Sequence, residues 1–179
     1  MPVNSRDPLL TALRIVIYVC IGILCFVSFV LVVASPLIVF FQADIFAELA
    51  EDGKVAPSGL IPLIVVLALG FAAILIAAIY FFWNLLAITD TVRAGDPFIP
   101  ENASRLTRMG WLAVFVQFGS LLLVGPGVFV ASVFADAGED ATFDVDFDGT
   151  GLILILVLFV LARVFRHGAA MREDLEGTV

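Results

Sequence analysis

The chain has 179 residues, of which 62% are apolar and 15% charged, with a formal net charge of −8 and a mean hydropathy of +1.14. A soluble domain of this length needs a charged surface all round, and this composition cannot supply one. The surplus of acid argues against nucleic acid as a direct ligand. The length allows one domain, and the composition places it in a membrane.

From the N-terminus, Arg6 and Arg14 stand against Asp7 before an uncharged run, Ile15–Phe41. A secretory signal has an apolar core of roughly 7–15 residues. This run is longer and reads as a membrane span, for which about 20 residues suffice. Cys20 and Cys25 both lie inside it, five apart on different helix faces, and imply no disulfide framework. Ser35-Pro36 removes a backbone donor and predicts a kink or an end to the helix. Residues 42–58 form a loop in which Ala43–Glu51 predicts a short interfacial helix, with Ile45, Phe46 and Leu49 toward lipid. Asp52-Gly53 ends it. An external ligand site is the functional alternative for this loop.

A second uncharged run, Leu60–Ile88, finishes in the aromatic stretch Tyr80-Phe81-Phe82-Trp83, as expected where a helix reaches the headgroups. Asn84 is its strongly polar side chain. A third run, Met109–Ala135, opens on Trp111 and carries Gln117 about two turns further in. Asn84 and Gln117 are expected at similar depths, bonded to each other as interhelical glue worth about 0.6–2 kcal/mol. Gly125-Pro126-Gly127 predicts a second helix break. Asp136–Gly149 contains six acids and no base. Its Asp144–Gly149 stretch resembles the start of a calcium-binding loop, but the twelfth position, where a bidentate Glu is needed, is Ile155. The fourth run, Thr150–Phe165, is short, and Arg163 in its last turn can snorkel to the headgroups. His167 has no metal-ligating neighbour at suitable spacing within the membrane, so neither a metal nor another cofactor is expected.

The charges set a topology. The N-terminus, the 89–108 segment and the tail hold eight of the nine bases, and the other two loops hold ten of the seventeen acids. Short loops rich in Lys and Arg stay cytoplasmic. The fold class is therefore all-α: a polytopic membrane protein with four transmembrane helices, N-in and C-in. The spans fall at about 15–41, 60–88, 109–135 and 150–166, with a cytoplasmic elbow at 89–110 and a tail at 167–179.

The elbow has its own local logic. Arg93-Ala94-Gly95 reads as a helix end with glycine at the left-handed position. Asp96-Pro97 turns the chain. A new helix starts about Pro100 with Glu101 at the positive end of its dipole. Ala103, Leu106 and Gly110 then share one face, while Arg105 and Arg108 neighbour each other on another.

On these residues the chain resembles a known family. Gly95-Asp96-Pro97-Phe98, then Glu101-Asn102 and Arg105-Leu106, leading into Met109-Gly110-Trp111, look like the G-x-P-F…N…L…I-G elbow of the DUF2975 membrane proteins. The segment His167–Val179, acidic and closing on Thr178-Val179, is similar to that family's C-terminus. The resemblance implies a four-span protein of the bacterial or archaeal inner membrane. Members are often encoded beside a small helix-turn-helix regulator, which implies a membrane partner that holds or silences such a regulator.

Three functions compete. In the first, elbow and tail form a docking surface for the regulator. Arg93, Asp96, Phe98, Asn102, Arg105 and Arg108 lie on one side of it, with Glu173, Asp174 and Glu176 set against the arginines. The second is a small oligomeric transporter or channel, or a protein that binds a lipid or hydrophobic signal. The first three runs carry no ionisable side chain for a permeation path, and their helix breaks are its support. The third, catalysis, needs a nucleophile beside a base, and neither the single His nor the two membrane-buried Cys provides that pair, so no enzyme is expected.

Overall fold

In the computed structural model, residues 8–135 and 149–176 are described. They form five helices: α1 (Pro8–Phe40), α2 (Gln42–Glu51), α3 (Leu60–Arg93), α4 (Pro100–Phe134) and α5 (Gly149–Glu176). Among the described residues there is no strand. Four helices, all but α2, are long and apolar enough to cross a membrane. Their surfaces agree with lipid as solvent. Phe26, Phe29 and Leu122 are 68%, 66% and 77% exposed, a display of apolar area that water would not tolerate.

The helices are longer than the apolar runs and pass through both expected breaks. α1 continues through Pro36 to Phe40 and α4 through Gly125-Pro126-Gly127 to Phe134. Each proline removes one donor, leaving the carbonyl four residues earlier without its helical partner. Abandoning the helix there would strand several more backbone groups in hydrocarbon, each costing several kcal/mol. Continuing is the cheaper solution. Several short polar side chains along the spans bond back to their own helix. The Ser35 hydroxyl donates to the Leu31 carbonyl at 2.8 Å, and that of Thr89 to Leu85 at 2.9 Å.

α2 ends as its sequence dictates. Gly53 takes φ +70°, and the amides of Lys54 and Gly53 bond to the carbonyls of Leu49 (2.8 Å) and Ala50 (3.1 Å), a Schellman closure that a residue with a side chain could not adopt without strain. Leu49, expected to face lipid, is only 3% exposed, whereas Phe46 does stay on the surface. The amphipathic helix turns one apolar residue inward and keeps the other out.

The chain divides into two compact units. One comprises Cys25–Ile76 and Phe118–Phe147. Within it, α3 and α4 approach closely through glycine. A Cβ at Gly70 would stand 3.0 Å from a Leu123 methyl, and one at Gly119 3.4 Å from Ile74. Such small residues let membrane helices gain dispersion contact where no hydrophobic effect drives them together. Lys54 donates from its Nζ to the carbonyl of Phe134 at 2.8 Å, placing a cation at the negative end of α4. The loop's only base thus serves the fold.

The other unit comprises the chain up to Leu24, Ala77–Gln117 and the residues from Asp148. Its core joins Ile88 of α3, Leu106 and Met109 of α4, and Leu158 and Ala162 of α5. A second cluster packs Ile17 and Ile21 of α1 against Leu86 of α3. Arg14 pairs with Asp90 at 3.3 Å and lies over the Tyr18 ring, linking α1 to α3. Gly110 admits the Phe159 ring so closely that an added Cβ would stand 3.0 Å from two of its carbons. That ring is held edge-on by Trp111, with centroids 5.6 Å apart. It has little room to retreat.

Gly110→Val is therefore expected to destabilise the protein by about 1–3 kcal/mol, the usual cost of overpacking. Gly22→Ala, where an added Cβ meets nothing within 4 Å, should leave stability unchanged. Thermal unfolding of both variants in detergent checks the contrast.

Candidate partner-binding elbow

α3 stops because of Gly95. Its φ is +82°, and the amides of Gly95 and Asp96 close on the carbonyls of Val92 and Thr91, both at 3.1 Å. This Schellman turn satisfies the last carbonyls of α3. After Asp96-Pro97 the chain re-enters helix at Pro100, where a missing N–H costs nothing. Local chemistry thus fixes both ends of the elbow.

Its centre is Asn102, which is 0% exposed. The Nδ2 group donates to the Thr91 hydroxyl at 2.6 Å and to the Pro97 carbonyl at 2.9 Å. Oδ1 accepts from the Arg105 guanidinium at 2.8 Å. Thr91 in turn donates to the Ile88 carbonyl at 2.7 Å. One amide therefore ties the last turn of α3, the connecting segment and the first turns of α4. Asn102 was expected on a docking surface; its complete burial makes it an internal support of the elbow instead. The residues after it on the same helical stripe, Ala103, Leu106, Met109 and Gly110, are buried as well.

The elbow is seated on α5. Asp96 forms an ion pair with Arg172. The Phe98 ring stacks at 5.2 Å and 40° on Phe165, and it lies so close over Gly168 that any Cβ there would collide with it. The exposed ion pair contributes little, about 0–1 kcal/mol, and the aromatic contact contributes about 0.5–1.5 kcal/mol beyond its burial. At this junction an elbow acid, Asp96, meets a tail base, Arg172.

Of the other expected surface residues, Arg93 ends α3 and is half-buried, Arg108 is exposed, and Glu173 and Asp174 are exposed near the end of α5. Glu176 closes α5, but its side chain falls outside the described residues. Asn84 and Gln117 do not form the expected pair. Asn84 donates to the Tyr80 carbonyl of its own helix at 2.7 Å. It shares a cavity with Tyr80, Arg108, Trp111 and Leu112, one to two turns nearer the elbow than Gln117. Gln117 instead lies against Gly151 of α5. The two amides differ in depth, so each finds a nearer partner. Thr91, Phe165, Gly168 and Arg172 hold the elbow and were missed, because their roles depend on contacts between segments far apart in sequence.

Among the described residues, no three His, Cys, Asp or Glu side chains gather into a metal-binding group. Cys20 and Cys25 are free thiols. The calcium-like stretch at Asp144–Asp148 lies outside the described residues, and the chain from Gly149 through Ile155 is helix.

Asn102→Ala removes three hydrogen bonds, each worth about 0.5–1.5 kcal/mol. A loss of about 1.5–4.5 kcal/mol is expected, together with faster amide hydrogen exchange across residues 91–105. Asn102→Asp should weaken the same segment by losing the two donated bonds.

No curated protein and no solved structure matches the chain. The profile of the family described as "protein of unknown function (DUF2975)" matches residues 5–179. With the Gly95–Asn102 elbow and the four apolar helices already in view, this match establishes that the chain belongs to the DUF2975 family of membrane proteins.

Proposed function

We propose that this protein is a non-catalytic regulatory partner that binds or sequesters a cytoplasmic helix-turn-helix transcription regulator through residues 93–110 and the C-terminal tail. It resides in the bacterial or archaeal inner membrane with both termini inside, as the distribution of its bases favours. The observation that carries the reading is the preorganisation of the elbow. A bare connection between two spans needs neither a buried, fully bonded asparagine nor a seat on a third helix. A docking surface benefits from both, because side chains ordered in advance lose less entropy on binding.

The basic residues divide into two roles. Arg105 is committed to Asn102 and Arg172 to Asp96, so they shape the platform. Arg108 is exposed, and no hydrogen bond or ion pair engages it among the described residues. Among the elbow arginines it is the side chain most available to a partner. Catalysis gains no support from the single histidine, which lines a groove with Phe98, Arg163 and Met171 and no nucleophile or carboxylate.

The test is a crosslinked pull-down from native membranes with wild type and Arg108→Glu. A helix-turn-helix DNA-binding protein is expected with wild type and at least about fivefold less of it with the variant, the weight of roughly 1 kcal/mol or more for an interface charge. Equal recovery from both, or recovery of self-contacts only, contradicts the reading. Because Arg108 supports no other residue, the variant should assemble in the membrane as wild type does.

A further inference from the structure

α5 carries a groove that the elbow borders only through Phe98. At its upper end lies a cavity of about 580 Å³ lined by Phe98, Arg163, Val164, His167, Gly168 and Met171. Directly below, sharing Val164, a second cavity of about 290 Å³ is lined wholly by aliphatic side chains, among them Ile153, Val157 and Val160. These positions recur at three- and four-residue intervals, so they form one stripe along a single helix face. Ile153 and Arg163 are ten residues apart, which at 1.5 Å per residue is about 15 Å. That is half of a hydrocarbon core about 30 Å thick. The stripe is therefore long enough to cover one leaflet, and it ends in a pocket that holds Arg163.

From this geometry we infer that the α5 groove is a binding site for an anionic phospholipid. Its phosphate sits between Arg163 and His167, and one acyl chain runs down the Val164–Ile153 stripe. Arg163 and His167 are exposed and, among the described residues, have no hydrogen bond or ion pair. Of the acids at this end of the spans, Asp90 is engaged by Arg14 and Asp96 by Arg172, and Glu173 and Asp174 follow Met171 on α5 without lining the pocket. The pocket lining thus has positive charge and no carboxylate of its own. A phosphate oxygen accepts from a guanidinium and from an imidazole N–H with charge-assisted strength, and basic pockets beside transmembrane helices are suited to anionic headgroups. A free phosphate would leave the aliphatic stripe uncovered, and a zwitterionic lipid would bring its own cation to a cationic pocket. Phe98 walls the site while its ring rests on Phe165, so the headgroup would touch the elbow's own anchor. This inference does not depend on the regulator reading and is tested with purified protein alone.

The full-length protein, delipidated and then incubated with equal amounts of phosphatidylglycerol and phosphatidylcholine, is analysed by native mass spectrometry. Preferential retention of phosphatidylglycerol is expected. Arg163→Gln should lower that retention about fivefold, the weight of one basic side chain at an anionic surface, and Arg163→Lys should restore most of it. Val160→Trp, which fills the stripe at a position 63% exposed and leaves the charge unchanged, should lower retention to a similar degree. Arg166→Gln, outside the groove, should change it by less than about twofold on the same scale. Equal losses for Arg163→Gln and Arg166→Gln would reduce the effect to general surface charge and overturn the site. No preference over phosphatidylcholine, full competition by glycerol phosphate, or a second copy of the chain covering α5 would overturn it too.

Discussion

One buried amide determines how the α3–α4 connection is built. In surroundings with little water, a primary amide is tolerable only when its donors and acceptor are all engaged, and Asn102 meets that condition with Thr91, Pro97 and Arg105. The left-handed turn at Gly95 brings Thr91 and Asn102 together across eleven positions of sequence. The bonds then fix the rotation of α4's first turns. That rotation points Leu106 and Met109 at Leu158 and Ala162 of α5 and leaves Arg108 outward. An aspartate in the same place would bury a charge, and an alanine would orphan three groups.

The membrane supplies the other constraint. Because lipid offers no hydrogen bonds, the long helices run through Pro36 and Pro126, and the hydroxyls of Ser35, Thr89 and Ser132 return to their own backbone. Contacts between helices come from close approach at glycine: Gly70 on Leu123 in one unit, and Gly110 on Phe159 in the other. Polar commitment is concentrated in the elbow and at its seat on α5, where Asp96 meets Arg172. The elbow therefore owes its order to hydrogen bonds and one aromatic contact, whereas the spans owe theirs to dispersion and backbone satisfaction.

Much of this was legible in the sequence. Apolar run length gave the four long helices, and Gly95 and Pro100 gave the two ends of the elbow, because run length and left-handed backbone are local properties. The buried face of α4 was legible too: Ala103, Leu106 and Gly110 share a stripe. Asn102 stands four residues before Leu106 on that stripe, so its burial could have been inferred, had its polarity not suggested a surface role. Pro36 and Gly125-Pro126-Gly127 do not end their helices, because lipid makes an open backbone costlier than one missing donor. The Asn84–Gln117 pair failed on depth, which counting along two antiparallel helices resolves only to a turn or so. The seating of Phe98 on Phe165 and of Asp96 on Arg172 had no local signal, since each links segments more than sixty residues apart.

The most direct measurement concerns that seat. With Cys20 and Cys25 replaced by alanine, cysteines at Asp96 and Arg172 can be joined by a short thiol crosslinker in isolated membranes, with no partner added. An elbow held on α5 by Asn102 and Phe98 gives rapid crosslinking within one chain, even though the ion pair itself has been removed. No crosslink, or crosslinks only between copies, would show an elbow free of α5 and would contradict a preorganised docking surface.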